Sequence, residues 1–337
     1  MNIKERLLAL SSADAAGTIS DASDLAYKML NEYCDCEKTD TLSVIGYLKG
    51  DGDYTLMLDA HIDQIAFVVT NIDDNGFLTV SNSGGIDLRM LPSRRVTVHG
   101  KEKITAVFCS TPPHLSSGEK EYSDISDIKL DTTLGSKAKD IISVGDYVTF
   151  ATEPCELLNN RVCGNSFDDR AGVTCLIEVA KRLKDNKLPF NIAFVLSDGE
   201  ELGLRGIRPA TFKVNPDEAI AIDVSFGDGI GISEEESGIL GKGAMIGFSP
   251  CLDSKISKKL TNIAKEKGIP YQTEVMGRST GTNADMISVN REGVRTCTLS
   301  IPLRNMHTDC EILDIKDLET TVELLCEYIL SGGVKND

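Results

Sequence analysis

Two adjacent glutamates follow an apolar segment near the middle of the chain. Residues 191–196 have the composition and length of a buried strand, and residues 197–206 are rich in acids and glycines. Such a strand is typical of a parallel sheet, whose carboxyl edge opens onto a ligand-binding crevice. Neighbouring residues of an extended chain point to opposite faces, so Glu200 and Glu201 cannot hold the same position. One carboxylate could bind a metal ion while the other moves protons, although a solvated acidic turn is the usual alternative for such a pair.

Four further side chains that can bind metal lie at predicted strand ends or helix starts. They are His61 after the strand 54–60, Asp168 at a helix start, Asp223 near the end of the strand 219–224, and His307 after the strand 296–301. Imidazole and carboxylate ligands together suit Zn²⁺, Co²⁺ or Mn²⁺, and two such ions need one carboxylate that bridges them. Each residue alone would more often be a cap or a surface group. Their agreement along one sheet edge indicates a metal centre.

The order of strand and helix patterns predicts the elements that position these side chains. Residues 3–33 have helical spacing, and strands and helices alternate in residues 1–63 and again in residues 155–337. Residues 64–154 instead form short β-prone pieces between polar turns, of which residues 116–139 are the most polar and are expected to be mobile. The pattern predicts an α/β domain with a parallel or mixed sheet covered by helices, interrupted by a small inserted β domain.

Composition narrows the possible functions. The chain of 337 residues has a net charge of −17, and this negative field repels nucleic acid and anionic membrane while it favours cations. No segment has the length and apolar character of a membrane span, and the first residues do not resemble a signal peptide. Ten cysteines occur without regular spacing, which is typical of reduced thiols. We therefore expect a cytoplasmic protein with no nucleic-acid or membrane partner.

Five motifs in order along nearly the whole chain resemble those of the tetrahedral, or glutamyl, aminopeptidases, metallopeptidase family forty-two. Members of this family have often been labelled endoglucanases or cellulases. The motifs are AHID at 60–63, FDDRAG at 167–172, EELGLRG at 200–206, AIDVS at 221–225 and IPLRNMH at 301–307. Five ordered motifs are far more specific than any one of them.

The resemblance implies a role for each candidate residue. His61 and Asp223 would bind one divalent ion, Glu201 and His307 a second, and Asp168 would bridge the two. Glu200 would be the general base, and Asp63 would orient His61. The implied reaction is removal of N-terminal residues from short peptides by a metal-activated water, with Zn²⁺ or Co²⁺, or alternatively Mn²⁺, as the ions.

The resemblance also implies an architecture and an assembly. The catalytic domain, residues 1–63 and 155–337, would be a three-layer α/β/α mixed sheet of the zinc-peptidase type. Residues 64–154 would form a small β-barrel-like domain that supports dimer contacts or acts as a lid. The same resemblance implies a homo-oligomer built from dimers, for which a twelve-subunit shell is one form.

Some positions depart from the family pattern. Gln64 replaces a usual Glu, Asn283 replaces a usual Asp, and Asn305 replaces a usual Tyr close to His307. None of them is a proposed ligand, so the metal centre should be retained. The departures leave the preferred N-terminal residue open.

Three other functions compete with the aminopeptidase. A glycosidase could use a carboxylate pair such as Glu200 and Asp223, but it leaves His61 and His307 unexplained, and the absence of Trp argues against a long sugar platform. A deacylase of non-peptide amides would use the same metals. A non-enzymatic shell protein would not need every ligand and the base to be retained.

Overall fold

The computed structural model describes residues 1–115 and 124–334. The helices in these residues follow the predicted pattern in most of the chain. None of these helices is both long enough and apolar enough to cross a membrane. The helices are α1 Ile3–Ser11, α2 Asp21–Leu30, α3 Ala138–Ile141, α4 Phe167–Leu183, α5 Ile207–Val214, α6 Ser254–Lys267, α7 Ala284–Ser288 and α8 Ile315–Leu330.

The strands divide among a large sheet, a small sheet and a barrel. In chain order they are β1 Asp35–Lys38, β2 Val44–Leu48, β3 Thr55–His61, β4 Ala66–Ile72, β5 Leu78–Ser83, β6 Arg95–His99, β7 Lys103–Phe108, β8 Leu130–Asp131, β9 Tyr147–Phe150, β10 Cys155–Glu156, β11 Arg161–Gly164, β12 Asn191–Ser197, β13 Glu218–Phe226, β14 Ala244–Phe248, β15 Tyr271–Val275, β16 Arg295–Leu303 and β17 Glu311–Asp314.

The large sheet has eight strands in the order β1-β2-β12-β3-β13-β16-β14-β15. Its four central strands, β12, β3, β13 and β16, are parallel to one another. The flanking strand β2 is antiparallel to β12, and β14 is antiparallel to β16. The sheet is therefore mixed, and its parallel centre directs four carboxyl ends to a single edge.

Helices cover both faces of the large sheet. Along β12, Ile192, Phe194 and Leu196 pack into one core with α4 and α8, whereas Ala193 and Val195 pack into a second core with α5 and α7. This alternation follows from the period of two in a strand, and a strand buried on both faces is apolar throughout. The three-layer α/β/α prediction is confirmed.

The strands between β3 and β10 close into a barrel in the order β4-β5-β8-β7-β6-β9. Its core contains Phe67 with Phe108 and Phe150 in edge-to-face contact. Residues 116–123, part of the segment predicted to be mobile, lie outside the described residues. Residues 124–139 do not form a free loop, because β8 and the buried side chains of Ile125 and Ile128 belong to the barrel. The dimerisation or lid role of residues 64–154 stays a prediction.

The segment predicted to be helical, residues 3–33, contains two separate helices. Helix α1 ends at Ser11, and α2 begins at Asp21, with Ser20 in the N-cap position. Gly17, between them, has a φ of 58°, a left-handed conformation that favours glycine. Helical spacing within each part hid the break, because a pattern of apolar residues does not register one strained turn.

A buried ion pair joins α1 to the core helix α4. Arg6 Nη1 lies 2.5 Å from Glu178 Oε2, and the two side chains are 2% and 10% exposed. Burial opposes ionisation of Glu178, but hydrogen bonds from Arg6 and Lys181 outweigh it and lower the pKa of the carboxyl below its usual 4.5. The pair thus stabilises the folded state only while Glu178 is ionised.

Replacement Glu178→Gln should destabilise the protein by about 2–4 kcal/mol at pH 7, because it leaves a buried guanidinium without a counter-charge. The folded pKa of Glu178 lies below the unfolded one, so its contribution is complete above pH 4.5 and is lost as the pH falls through the folded pKa. Urea unfolding from pH 7 downward measures both effects, and the gap between wild type and variant should narrow in acid.

The exposed Glu323 on α8 provides the matched control. Glu323→Gln removes the same charge, but it should change the free energy of unfolding by less than about 0.5 kcal/mol. Equal destabilisation by both substitutions would show that net charge, and not the buried pair, is responsible.

Candidate metal centre

The carboxyl ends of the parallel strands bring the predicted ligands to one place. His61 is the last residue of β3, Glu201 follows β12, Asp223 lies near the end of β13, and His307 follows β16. Asp168 reaches the same edge from the start of α4. These five residues and Glu200 line one cavity of about 490 Å³, a size typical of small-ligand sites.

Asp168 lies between the two histidines. Its Oδ1 is 2.9 Å from His61 Nε2, and its Oδ2 is 3.3 Å from His307 Nε2. On the first side, His61 Nε2 lies 3.9 Å from Asp223 Oδ1; on the second, His307 Nε2 lies 3.4 Å from Glu201 Oε1. One carboxylate oxygen of Asp168 thus faces His61, which lies near Asp223, and the other faces His307, which lies near Glu201.

The donor atoms form two groups that share Asp168. The possible ligand atoms of His61, Asp168 and Asp223 lie within 4.8 Å of one another, and so do those of Asp168, Glu201 and His307. One imidazole with two carboxylates is a donor set that Zn²⁺, Co²⁺ and Mn²⁺ accept. Both groups fit a divalent ion by the number and chemistry of their donors.

The local start of α4 explains how Asp168 reaches the edge. Asp168 and Asp169 have non-helical backbone torsions, and the peptide bond between them is cis. Ser166, just before the helix, has a φ of 58°. The carboxylate of Asp168 faces His61 and His307 at the strand ends.

Crowded acids dominate the electrostatics of the site. Burial raises the pKa of Glu201 to about 8 and holds the pKa of Asp223 well above its usual value. Burial also opposes ionisation of Asp168, but hydrogen bonds with His307 and His61 outweigh it and lower its pKa. The hydrogen bond to Asp168 raises the pKa of His307 to about 9. Carboxylates packed so closely need positive charge nearby, which protonated histidines or bound cations can supply.

Asp63 contacts three parts of the centre. Its Oδ1 lies 3.5 Å from His61 Nδ1 and accepts a hydrogen bond of 3.0 Å from the backbone N–H of Glu200. Its Oδ2 accepts one of 3.2 Å from the N–H of Glu201. The family resemblance implies contact of Asp63 with His61 alone. In the structure Asp63 also holds the turn that carries both glutamates.

Glu311 is a buried acid that sequence reasoning missed. Its Oε2 accepts hydrogen bonds from the N–H groups of Phe167 and Asp168 at 2.7 and 3.2 Å, and its Oε1 accepts one from the N–H of His307 at 3.0 Å. It thereby ties together the two backbone segments that carry Asp168 and His307. A carboxylate four residues after His307 was the only available signal, and its spacing alone has no chemical meaning.

Two of the family departures, Asn283 and Gln64, lie behind the site. Asn283 is buried, and its Nδ2 donates hydrogen bonds of 2.8 Å to Asp59 Oδ2 and to Ser197 Oγ. Gln64 Oε1 accepts hydrogen bonds from the N–H of Ala15 and from Arg170. Among the described residues that line the cavity, neither Asn283 nor Gln64 occurs, and Asn305 is absent as well. The hydrogen bonds of Asn283 and Gln64 therefore go to residues outside the described cavity lining.

A loop of the barrel approaches the ligands closely. A Cβ on Gly84 would lie 3.0 Å from Glu201 Oε2, and one on Gly85 would lie 2.9 Å from His307 Nδ1. Gly84 also has a φ of 91°. Nothing in the sequence pattern distinguished these two glycines from an ordinary turn, yet they place the inserted barrel against the metal centre.

Comparison with known proteins agrees with this geometry. A sequence model of the M42 glutamyl aminopeptidases matches residues 43–324. The chain belongs to the M42 glutamyl aminopeptidase family. The resemblance inferred from the five motifs is thus confirmed, and the protein is an aminopeptidase of a metal-dependent family. The lysyl aminopeptidase of Pyrococcus furiosus is 33% identical over 309 residues, which cover 89% of this chain and 88% of that protein.

Two solved peptidase structures share the fold over almost the whole chain. An aminopeptidase from the archaeon Desulfurococcus kamchatkensis has a TM-score of 0.91 and 31% identity, with 98% of this chain and 94% of that chain covered. The TET1 peptidase of Pyrococcus horikoshii, which assembles into a tetrahedron or a large octahedral shell, has a TM-score of 0.87 and 28% identity, with 98% and 99% covered.

Proposed function

We propose that this M42 aminopeptidase uses two divalent metal ions to remove N-terminal residues from short peptides. His61 and Asp223 would hold one ion, Glu201 and His307 the other, and Asp168 both. The observation that carries this proposal is the position of Asp168, whose two carboxylate oxygens face different histidines at 2.9 and 3.3 Å. Zn²⁺ and Co²⁺ are the first candidates and Mn²⁺ a third, since all accept mixed imidazole and carboxylate ligands.

Glu200 is the residue that moves protons. When bound, the ions would lower the pKa of a water and polarise the scissile carbonyl. Glu200 lines the same cavity but belongs to neither group of ligand atoms. Its carboxylate takes a proton from the attacking water and returns it to the leaving amine. Asp63 keeps Glu200 in place through the backbone hydrogen bond, so one buried acid aligns the base and the ligand His61.

The inserted barrel and the assembly of subunits would both limit access to the site. The contact of Gly84 and Gly85 with the ligands supports a role of residues 64–154 in covering the site. The shells formed by the TET1 neighbour support a homo-oligomer built from dimers, with a dodecamer as the expected form. Such a shell would restrict access to short peptides.

Hydrolysis of an aminoacyl-anilide panel tests the reaction. The metal-loaded protein should cleave anilides with a free α-amino group, lose activity after chelation, and regain it with Co²⁺ or Zn²⁺. N-acetylated versions of the same anilides are the matched controls and should remain intact.

Two results would contradict the proposal. Cleavage of the N-acetylated anilides at comparable rates would indicate a deacylase or an endopeptidase. Activity that persists in full after the metal has been removed, as measured by elemental analysis, would exclude the dinuclear mechanism.

A further inference from the structure

One acidic side chain in the cavity belongs to neither group of ligand atoms and is not the proposed base. Glu274 lies on the edge strand β15, whose residues alternate between exposed and half-buried positions. Glu274 and Met276 occupy the half-buried face, and both line the cavity that contains the candidate metal centre. The period of two in a strand therefore directs this carboxylate into the site.

Two serines hold the Glu274 carboxylate in a defined position. Ser300 Oγ donates a hydrogen bond of 2.6 Å to Oε2, and Ser225 Oγ donates one to Oε1. Ser300 lies directly opposite the ligand Asp223 in the sheet register, and Ser225 follows Asp223 by two residues on the same strand face. Ser225 lies about 7 Å from Asp223 along β13, the length of two strand residues, so Glu274 is held by residues adjacent to the candidate metal centre.

A glycine on the intervening strand lies in tightly packed surroundings beside Glu274. Strand β14 separates β15 from β16, and its residue paired with Glu274 is Gly247. A Cβ on Gly247 would lie 1.9 Å from Thr298 Oγ1 and 3.0 Å from Met276 Cε. Any larger residue would therefore disturb the packing around this part of the cavity wall.

Nothing in the described part of the cavity neutralises Glu274. Its hydrogen-bond donors are neutral hydroxyls, and the described residues that line the cavity include neither lysine nor arginine. The imidazoles of His61 and His307 face Asp168. A carboxylate in a concave, half-buried site attracts a cation more strongly than one in open solvent does.

Apolar residues that line the cavity suit the methylene groups of a long substrate side chain. Phe226, Met276 and Met306 contribute apolar surface to the same cavity. A lysine or arginine side chain buries its methylene groups on such surface and places its charge at the far end. The combination of an apolar wall and a terminal carboxylate matches that shape and charge.

We propose that Glu274 selects substrates with a basic N-terminal residue, lysine or arginine, by pairing with the charged end of its side chain. This inference rests on the proposed aminopeptidase reaction, and it names the substrate class of the same site. The hydroxyls of Ser225 and Ser300 keep the carboxylate pointed at that charge.

The test compares lysine and norleucine anilides, which share a linear side chain but differ in the terminal ammonium group. For the metal-loaded wild type, kcat/KM should be about 10- to 100-fold higher for lysine, the range of a charge-assisted hydrogen bond. Glu274→Gln should remove most of that ratio by lowering kcat/KM for lysine far more than for norleucine, because the amide still hydrogen-bonds the two serines but carries no charge. Glu274→Lys should shift the preference to the glutamate anilide, a gain that misfolding cannot produce.

The exposed Glu266 on α6 supplies the control, since Glu266→Gln removes one charge outside the cavity and should leave the ratio unchanged. Equal losses for lysine and norleucine in Glu274→Gln, or a wild type that prefers norleucine or glutamate, would overturn the selectivity but not the reaction. If no anilide is cleaved, the proposed reaction fails. Calorimetric titration of the metal-loaded protein with lysine amide and with norleucine amide then tests the selectivity. Stronger binding of lysine amide would support the role of Glu274, and equal binding of the two amides would contradict it.

Discussion

Glu200→Gln will lower kcat by about 10²–10⁴-fold while the metal content stays at the wild-type level. The amide has nearly the same shape as the carboxylate, but it cannot accept the proton of the attacking water. Asp63 bonds the backbone N–H of Glu200, so the turn should keep its conformation in the variant. Steady-state kinetics with a cleaved aminoacyl anilide, combined with elemental analysis of the same sample, measure both quantities.

The adjacent residue provides a matched comparison. Glu201→Gln makes the same chemical change one position along the chain, where the carboxylate lies 3.4 Å from His307 Nε2 in a candidate ligand group. It should lower both the metal content and the activity. Full turnover in Glu200→Gln would disprove its role as the base, and metal loss in that variant would move Glu200 into the ligand set.

Asp168→Asn will weaken the binding of both metal ions. At limiting metal concentration it should also reduce kcat/KM by roughly 10²–10⁴-fold, which corresponds to a loss of several kcal/mol of transition-state stabilisation. The reason is geometric, because the two oxygens of Asp168 face the two halves of the centre. The loss of affinity should exceed the roughly 10–100-fold change that follows removal of a residue outside the ligand set. Competition with a chelator of known affinity measures it.

A comparison with His307→Ala separates bridging from simple ligation. His307 belongs to only one of the two groups of donor atoms, so its replacement should affect one ion and spare the other. If Asp168→Asn also lost a single ion and kept the second with unchanged affinity, Asp168 would be a ligand but not a bridge.

Several residues of the centre could be found from the sequence because their positions follow from general rules. A buried parallel strand is apolar along its length, and its polar continuation must emerge at the carboxyl edge of the sheet. His61, Asp223 and the pair Glu200 and Glu201 follow this rule directly. Their meeting in one cavity requires only that β3, β12 and β13 are parallel neighbours, as they are.

Other features could not be deduced from local patterns. The segment between α1 and α2 contains a left-handed glycine, Gly17, and the helical spacing on either side does not reveal the break. The support from Glu311 depends on hydrogen bonds to a backbone segment more than a hundred residues away, that of Phe167 and Asp168. The alternation of side chains in β15 is that of any edge strand, and it carries no sign of a binding role.

The sequence by itself determined the fold class, the family and the side chains capable of binding metal, because strand periodicity and short motifs are encoded locally. Only the tertiary structure decided that each oxygen of Asp168 faces a different histidine. It also placed Gly84 and Gly85 of the barrel close to Glu201 and His307, and Glu274 in the lining of the cavity. These contacts depend on the order of strands in the sheet and on distances of a few ångströms between remote segments, and no local pattern encodes either.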